Sequence, residues 1–295
     1  AGFTGQFSLG HAAFLGVGAY TQAVLLAAGW PFLLALACAA GLSAAVGVVV
    51  GLPALRVKGI YLGMATLAFG FIVEEVLARW ESVTGGNAGL HVKAPQIMGW
   101  SLSGGETFYF LCLCITVLAT LGLLNLLRSP TGRAFVAIRD SEISAQSMGI
   151  HLAHYKTLSF ALSAALAGVA GALYAHKLQF ISPDQFNILQ SIDLLLMIVI
   201  GGLGSVHGVF LGALFLISMP QAIAMVKDYL PAAIGQAPGL QAAVYGVVLI
   251  AFVLFEPLGL YGRWLKVRTW LQMFPFYRKG MFKRQKSFQK SDRLK

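Results

Sequence analysis

The chain has 295 residues, of which 58% are hydrophobic and only 11% charged, with a mean hydropathy of +0.77. That composition excludes a soluble globular domain and a disordered chain, and places the protein in the polytopic membrane class. The net charge of +10 is concentrated at one end: residues 263–295 hold 11 Lys or Arg against one acid, Asp292, while the remainder holds 10 of each sign, so the basic balance argues for no nucleic-acid partner.

A helix needs roughly 20 apolar residues to cross about 30 Å of hydrocarbon. Eight spans are predicted on that basis, approximately Gly10 to Ala28, Pro31 to Leu52, Gly59 to Ala78, Thr107 to Leu127, Thr157 to His176, Gln190 to Gly204, Val206 to Met225 and Gly239 to Phe255. The fold class expected is therefore an all-α, multi-pass helical bundle. The sixth span is short, and a re-entrant or broken helix, its freed backbone groups satisfied by neighbouring protein, is the alternative reading.

The opening segment AGFTGQFSLG has no basic n-region and reads as an interior junction rather than a signal peptide, with further residues expected before it. His11-Ala-Ala-Phe14-Leu15-Gly16 recurs as His207-Gly-Val-Phe210-Leu211-Gly212, each after a Gly/Ser-rich turn and each opening a span. Such an echo suggests duplicated halves, as in transporters. Gly10, Gly16, Gly18, Gly168, Gly171, Gly201, Gly202, Gly204 and Gly212 suit close helix packing. Cys38, Cys112 and Cys114 sit inside apolar spans and read as packing thiols.

Positive residues near span ends mark the cytoplasmic side. Placing the Arg56/Lys58 turn, the loop 129–156 and the tail from Arg263 in the cytoplasm is consistent with eight spans, and puts the loop 80–106 and the shorter loops around Ser182 to Asp184 and Asp228 to Pro238 outside. The permease domain then covers 1–262. In the tail 263–295, Trp264, Trp270, Phe274, Phe276 and Tyr277 interleave with basic residues, a composition suited to lipid headgroups.

No GxGD pair, HExxH helix or GxSG serine occurs, so intramembrane proteolysis lacks its machinery. Ser8 with His11, and Ser205 with His207, have no orienting third group. Leu102-Ser-Gly-Gly-Glu106 looks like an ATPase signature, but no GxxxxGK[ST] accompanies it and it falls on the external side, so it reads as a turn.

The polar island Ser129 to Lys156 is the strongest functional signal. Ser129-Pro130 is a helix start and Gly149 a helix end. Phe135, Ile138 and the stem of Arg139 share one helical side while Asp140 and Glu142 point away, a face expected to seat in a groove on a cytoplasmic partner.

Gly132-Arg-Ala-Phe-Val-Ala-Ile-Arg-Asp-Ser-Glu142 followed by Met148-Gly-Ile150 resembles the ATPase-docking loop of branched-chain amino acid ABC importer permeases. Gly5-Gln-Phe-Ser-Leu-Gly-His-Ala-Ala-Phe14, Gly18-Ala-Tyr20, Tyr61-Leu, Thr66-Leu-Ala-Phe-Gly70, Gly86-Asn-Ala-Gly-Leu90 and Ile200-Gly-Gly-Leu-Gly-Ser205 resemble that family's other motifs, in its order, from Gly2 to about Gly262. The resemblance implies a non-enzymatic permease in a bacterial inner membrane, with the C-terminus cytoplasmic and no cofactor or metal of its own. It also implies a second homologous permease, two cytoplasmic ABC ATPases that hold the ATP, and a periplasmic amino-acid-binding protein.

Within it, the coupling loop comprises Gly132, Arg133, Phe135, Ala137, Ile138, Arg139, Asp140, Glu142 and Gly149. Candidates for the translocation path are Gln6, Ser8, His11, Thr66, Ser191, Asp193, Gly201, Gly202, Gly204, Ser205 and His207. Asp193 is expected near the outer interface, and His11 and His207 near the inner one. Glu75 and Arg79, four apart, suggest a local ion pair, and Glu74 has no assigned role. Urea, short amides and aromatic acids are alternative cargoes. An ion-coupled carrier, which needs buried carboxylates such as Glu74 and Asp193, is the alternative from another class.

Overall fold

The computed structural model describes residues 2–54, 59–97, 100–101, 105–227, 240–255 and 259–273. The Arg56/Lys58 turn, the loop 228–238, most of the Leu102 to Glu106 turn and everything beyond Met273 lie outside the described residues. The helices are α1 (His11–Ala27), α2 (Phe32–Ala54), α3 (Ile60–Arg79), α4 (Glu81–Thr84), α5 (Gly105–Arg128), α6 (Pro130–Asp140), α7 (Glu142–Ser147), α8 (Leu152–Leu178), α9 (Ile188–Gly201), α10 (Val206–Lys227), α11 (Leu240–Phe255) and α12 (Gly259–Met273).

Each of the eight expected spans coincides with one of these helices. By length and composition, six segments of the described residues can cross a bilayer, and α1 is a shorter apolar helix. α1 is short because the polar, glycine-containing segment before it stays non-helical. The boundary placed at 262 falls inside α12, so the basic segment begins as a helix rather than as a tail.

The core is built on α1, which packs along α2 and α8. Lipid provides no hydrophobic drive between helices, so close backbone approach through small residues holds them. Gly18 faces Gly168, where a methyl group on Gly18 would lie 2.2 Å from the Gly168 carbonyl oxygen. Gly171 meets Leu15 in the same way, at 1.9 Å from the Leu15 oxygen. Phe14 and Phe160 fill one cluster with Ala164; Leu15, Tyr20, Leu77, Ala175, Ile181 and Phe186 fill another. α9 and α10 form a second tight pair through Gly201 and Gly208. α5 buries none of its residues within the chain.

Four two-residue strands, β1 (Leu90–His91), β2 (Gln96–Ile97), β3 (Trp100–Ser101) and β4 (Phe180–Ile181), form two antiparallel pairs, β1 with β4 and β2 with β3. The first pair ties the 80–106 loop to the segment after α8. That segment continues through the 3-10 turn Pro183–Phe186, which drives Phe186 against Gly16 and Leu77. The sixth span is thus an interrupted helix. Its regular part, α9, has 14 residues, about 21 Å, and it counts among the six candidate crossings only together with the turn, as Pro183–Gly201.

Candidate functional site

The loop after α5 folds as its residues dictate. Ser129 accepts a hydrogen bond from the Gly132 amide at 3.5 Å, and Pro130 is the first residue of α6. Ser141 ends α6 and caps α7, accepting from the Ser144 amide at 3.3 Å. Gly149, at φ +83°, closes the second turn in a conformation that favours glycine.

The face presented is not the expected one. Gly132, Ala134, Phe135 and Ile138 are buried in the protein itself, and Phe135 meets Tyr155 edge-on at 6.4 Å. An amphipathic helix buries its apolar stripe on the nearest apolar surface, and here that surface is this chain's own. Phe135 and Ile138 are therefore unavailable to a partner, while Ala137 is half-buried. The apolar side chains left in the open are Ile143, 81% exposed, and Met148, 83% exposed, with Arg133 exposed nearby.

Two charged contacts fasten this loop. Arg139 donates to Asp140 Oδ1 at 3.1 and 3.0 Å and to the Gly2 carbonyl at 3.2 Å. Lys156, 5% exposed, reaches Glu142 Oε1 at 2.6 Å. Sequence reasoning passed over Lys156; its one signal is a lysine one turn into an otherwise apolar helix.

The path candidates fall into two groups. In the first, Gly2 to Gly10 runs non-helically into the bundle. Thr4 shares a 2.6 Å bond with Ser159. His11 Nδ1 bonds Ser8 Oγ at 2.9 Å and its Nε2 bonds Ser163 Oγ at 2.7 Å. Thr66 accepts from the Leu9 amide at 3.0 Å and donates to the Gly63 carbonyl at 2.9 Å. Ser191 accepts from the Ala12 amide at 3.0 Å, satisfying one of the free amides of a helix start. Gln6 is buried in the same segment.

These contacts place the opening of α1 against α8 and α9. Ser163 stands eleven residues into α8, about 16 Å from its first residue, so His11 is tied to the body of that helix rather than to its end. Ser191 meets the start of α1 there, while Asp193, two residues further along α9, is half-buried. What these hydroxyls do locally is hold the opening of α1 in place.

The second group is the turn between α9 and α10. Gly202 and Gly204 take φ +114° and +84°, and Ser205 caps α10 by accepting from the Gly208 amide at 3.0 Å. Gly201 packs against Gly208. His207 is exposed, its ring 6.2 Å from that of Tyr261.

Between α3 and the 3-10 turn Pro183–Phe186 lies a third feature that the path candidates did not include. An open cleft of about 1280 Å³ is bordered by Glu74, Arg79, Trp80, Asn87 and Asp184. Glu74 also lines a small enclosed cavity beneath it, with Leu67, Gly70, Ile188 and Ser191. Glu75 and Arg79 form the expected ion pair, exposed at the cleft edge.

Long apolar helices, interrupted openings at α1 and α9 and a fastened polar loop define a multi-pass all-α membrane protein of the permease type. The chain matches the family model described as branched-chain amino acid transport system / permease component over residues 1–253, and it belongs to that family. It is similar to the high-affinity branched-chain amino acid transport system permease protein LivM of Salmonella typhimurium, 32% identical over 284 residues, covering 88% of this chain and 64% of the relative. In Methanocaldococcus jannaschii it is similar to the probable branched-chain amino acid transport permease proteins LivM, 27% identical over 77% of this chain and 67% of the relative, and LivH, 29% identical over 71% and 67%. The chain thus spans 64% of the length of the Salmonella relative. No solved structure matches it.

Proposed function

We propose that the chain is the membrane permease of an ATP-driven importer for branched-chain amino acids, in a bacterial inner membrane with loop 129–156 and the C-terminal segment on the cytoplasmic side. Its partners are a second homologous permease, two cytoplasmic ATPases and a periplasmic binding protein. The chain has no catalytic role: ATP is held and cleaved by the ATPases. The similarity to both LivM and LivH of one organism supports the homologous pair.

The observation that carries the reading is the α6–α7 loop. Its apolar stripe is buried in the bundle, its second helix is bonded through Glu142 to the buried Lys156 at the foot of α8, and it holds Ile143 and Met148 out on the polar side. A loop fixed to the spans and carrying exposed apolar knobs transmits a partner's movement instead of absorbing it. On the opposite side, the cleft at Glu74 is where cargo enters, its carboxylate facing the ammonium of a zwitterion; Ser8, His11, Thr66 and Ser191 position α1. Arg263, Lys266 and Arg268 on α12 meet anionic headgroups.

Extraction of the full-length protein in mild detergent, with identification of what co-purifies, tests this. Two ATPases, a second permease and vanadate-sensitive ATP hydrolysis are expected. A lone protein whose uptake follows an ion gradient overturns the reading in favour of an ion-coupled carrier. Competition of leucine against urea for uptake then separates an amino-acid permease from an amide permease.

A further inference from the structure

Three separate parts of the chain meet at Arg139. Its guanidinium donates to the Gly2 carbonyl at 3.2 Å. Its stem lies against Gly5, where a methyl group would stand 3.4 Å from Cγ. Its Nη1 is 3.1 Å from where a methyl on Gly204 would be. Gly2 and Gly204 also touch directly, since a methyl on Gly2 would come within 2.6 Å of the Gly204 nitrogen. On the far flank, Gly259 at the start of α12 presses on Gly202, with 2.6 Å left to its nitrogen.

The two segments brought together here are the turns that lead into the two copies of the sequence echo. Gly2 to Gly10 leads into α1 and Gly202 to Ser205 leads into α10, and neither is helical. Each is pinned at its far end: the first by the bonds from Thr4, Ser8 and Leu9, the second by the Ser205 cap. Displacement of the last turn of α6 therefore acts on both helix openings through one side chain. Arginine suits that task, because its planar fork bonds two acceptors at fixed angles while its stem packs.

We infer that Arg139 is the positioning residue that transmits movement of the α6–α7 loop to the openings of α1 and α10, and that contact with the ATPase falls to Ile143 and Met148. This rests on the importer reading above. Arg139 spends its donors inside the chain, on Asp140 and Gly2, whereas Ile143 and Met148 touch little of it.

The test uses the complete complex in proteoliposomes, with Cys38, Cys112 and Cys114 replaced by serine and Leu203→Cys as a reporter beside Gly204. In the parent complex the labelling rate of the reporter differs between nucleotide-free and vanadate-trapped states. With Arg139→Ala the ATPases still co-purify, uptake falls about tenfold, within the usual range of coupling free energies between sites, and the labelling rate no longer responds to nucleotide. Arg139→Lys recovers part of the uptake by donating to Gly2 alone, which a purely structural defect would not show. Loss of the ATPases from Arg139→Ala, or nucleotide-responsive labelling with full uptake, overturns the inference. A parent complex that binds no ATPase overturns the importer reading itself, which is a different result.

Discussion

A methyl group on Gly171 would sit 1.9 Å from the Leu15 carbonyl oxygen, while one on Gly41 would meet nothing within 4 Å. The two glycines look alike in sequence, both inside apolar helices, and only packing tells them apart. Gly171→Ala must separate α1 from α8, at about 2 kcal/mol for an overpacked interior; the thermal midpoint in detergent should fall, and Gly41→Ala should leave it unchanged. Lys156 makes the same point for charge. Lys156→Met removes the cation from a part-buried pair and should lower stability by about 2 kcal/mol, below the range for a fully buried pair, and the loss should largely vanish in the double variant Lys156→Met with Glu142→Gln. Thermal unfolding of the parent, Lys156→Met, Glu142→Gln and the double variant distinguishes a coupled pair from two independent residues. Among residues, those defined by local chemistry were legible: the Ser129 cap, the Gly149 stop and the Glu75–Arg79 pair. Lys156 and the interior bonds of His11 were not, because Glu142 and Ser163 reach them from elements whose approach no local pattern encodes.

Helix α6 shows what periodicity can and cannot say about an element. The apolar side of α6 was legible, but a stripe does not declare which surface it will cover, and the bundle claimed it before any partner. Ile143 and Met148 are consequently the side chains free to dock. Ile143→Asp with Met148→Asp should strip the ATPases while the permease stays inserted and folded, since truncating apolar anchors typically costs about 2 kcal/mol or more each. Phe135→Asp should instead unfold the loop and lower expression. Retention of the ATPases by the Ile143/Met148 variant, measured by co-purification, would remove α7 from the docking surface. The eight helical segments were readable from apolar length, and the interruption at α9 from its shortness. The short pairing of Leu90 with Ile181 was not, being a contact between residues far apart in the chain with no alternation to announce it.

At the scale of the molecule, the α6–α7 loop, the turn before α10 and the start of α12 gather at one end, joined through Arg139, Gly2, Gly204, Gly202 and Gly259. The cleft at Glu74 and the β1–β4 pair belong to the other. Membrane class and the distribution of basic residues were legible from composition alone; the meeting of the two echoed turns was not, because it needs the whole bundle. With the native cysteines removed, Ser141→Cys should react with an impermeant thiol reagent only from the cytoplasmic side. Labelling from outside would invert the topology. The most direct measurement is uptake of radiolabelled leucine into proteoliposomes holding the complete complex and its binding protein. The account predicts uptake that requires ATP on the loop side, stops with vanadate and ignores ionophores. Uptake without ATP that follows a sodium or proton gradient would contradict it.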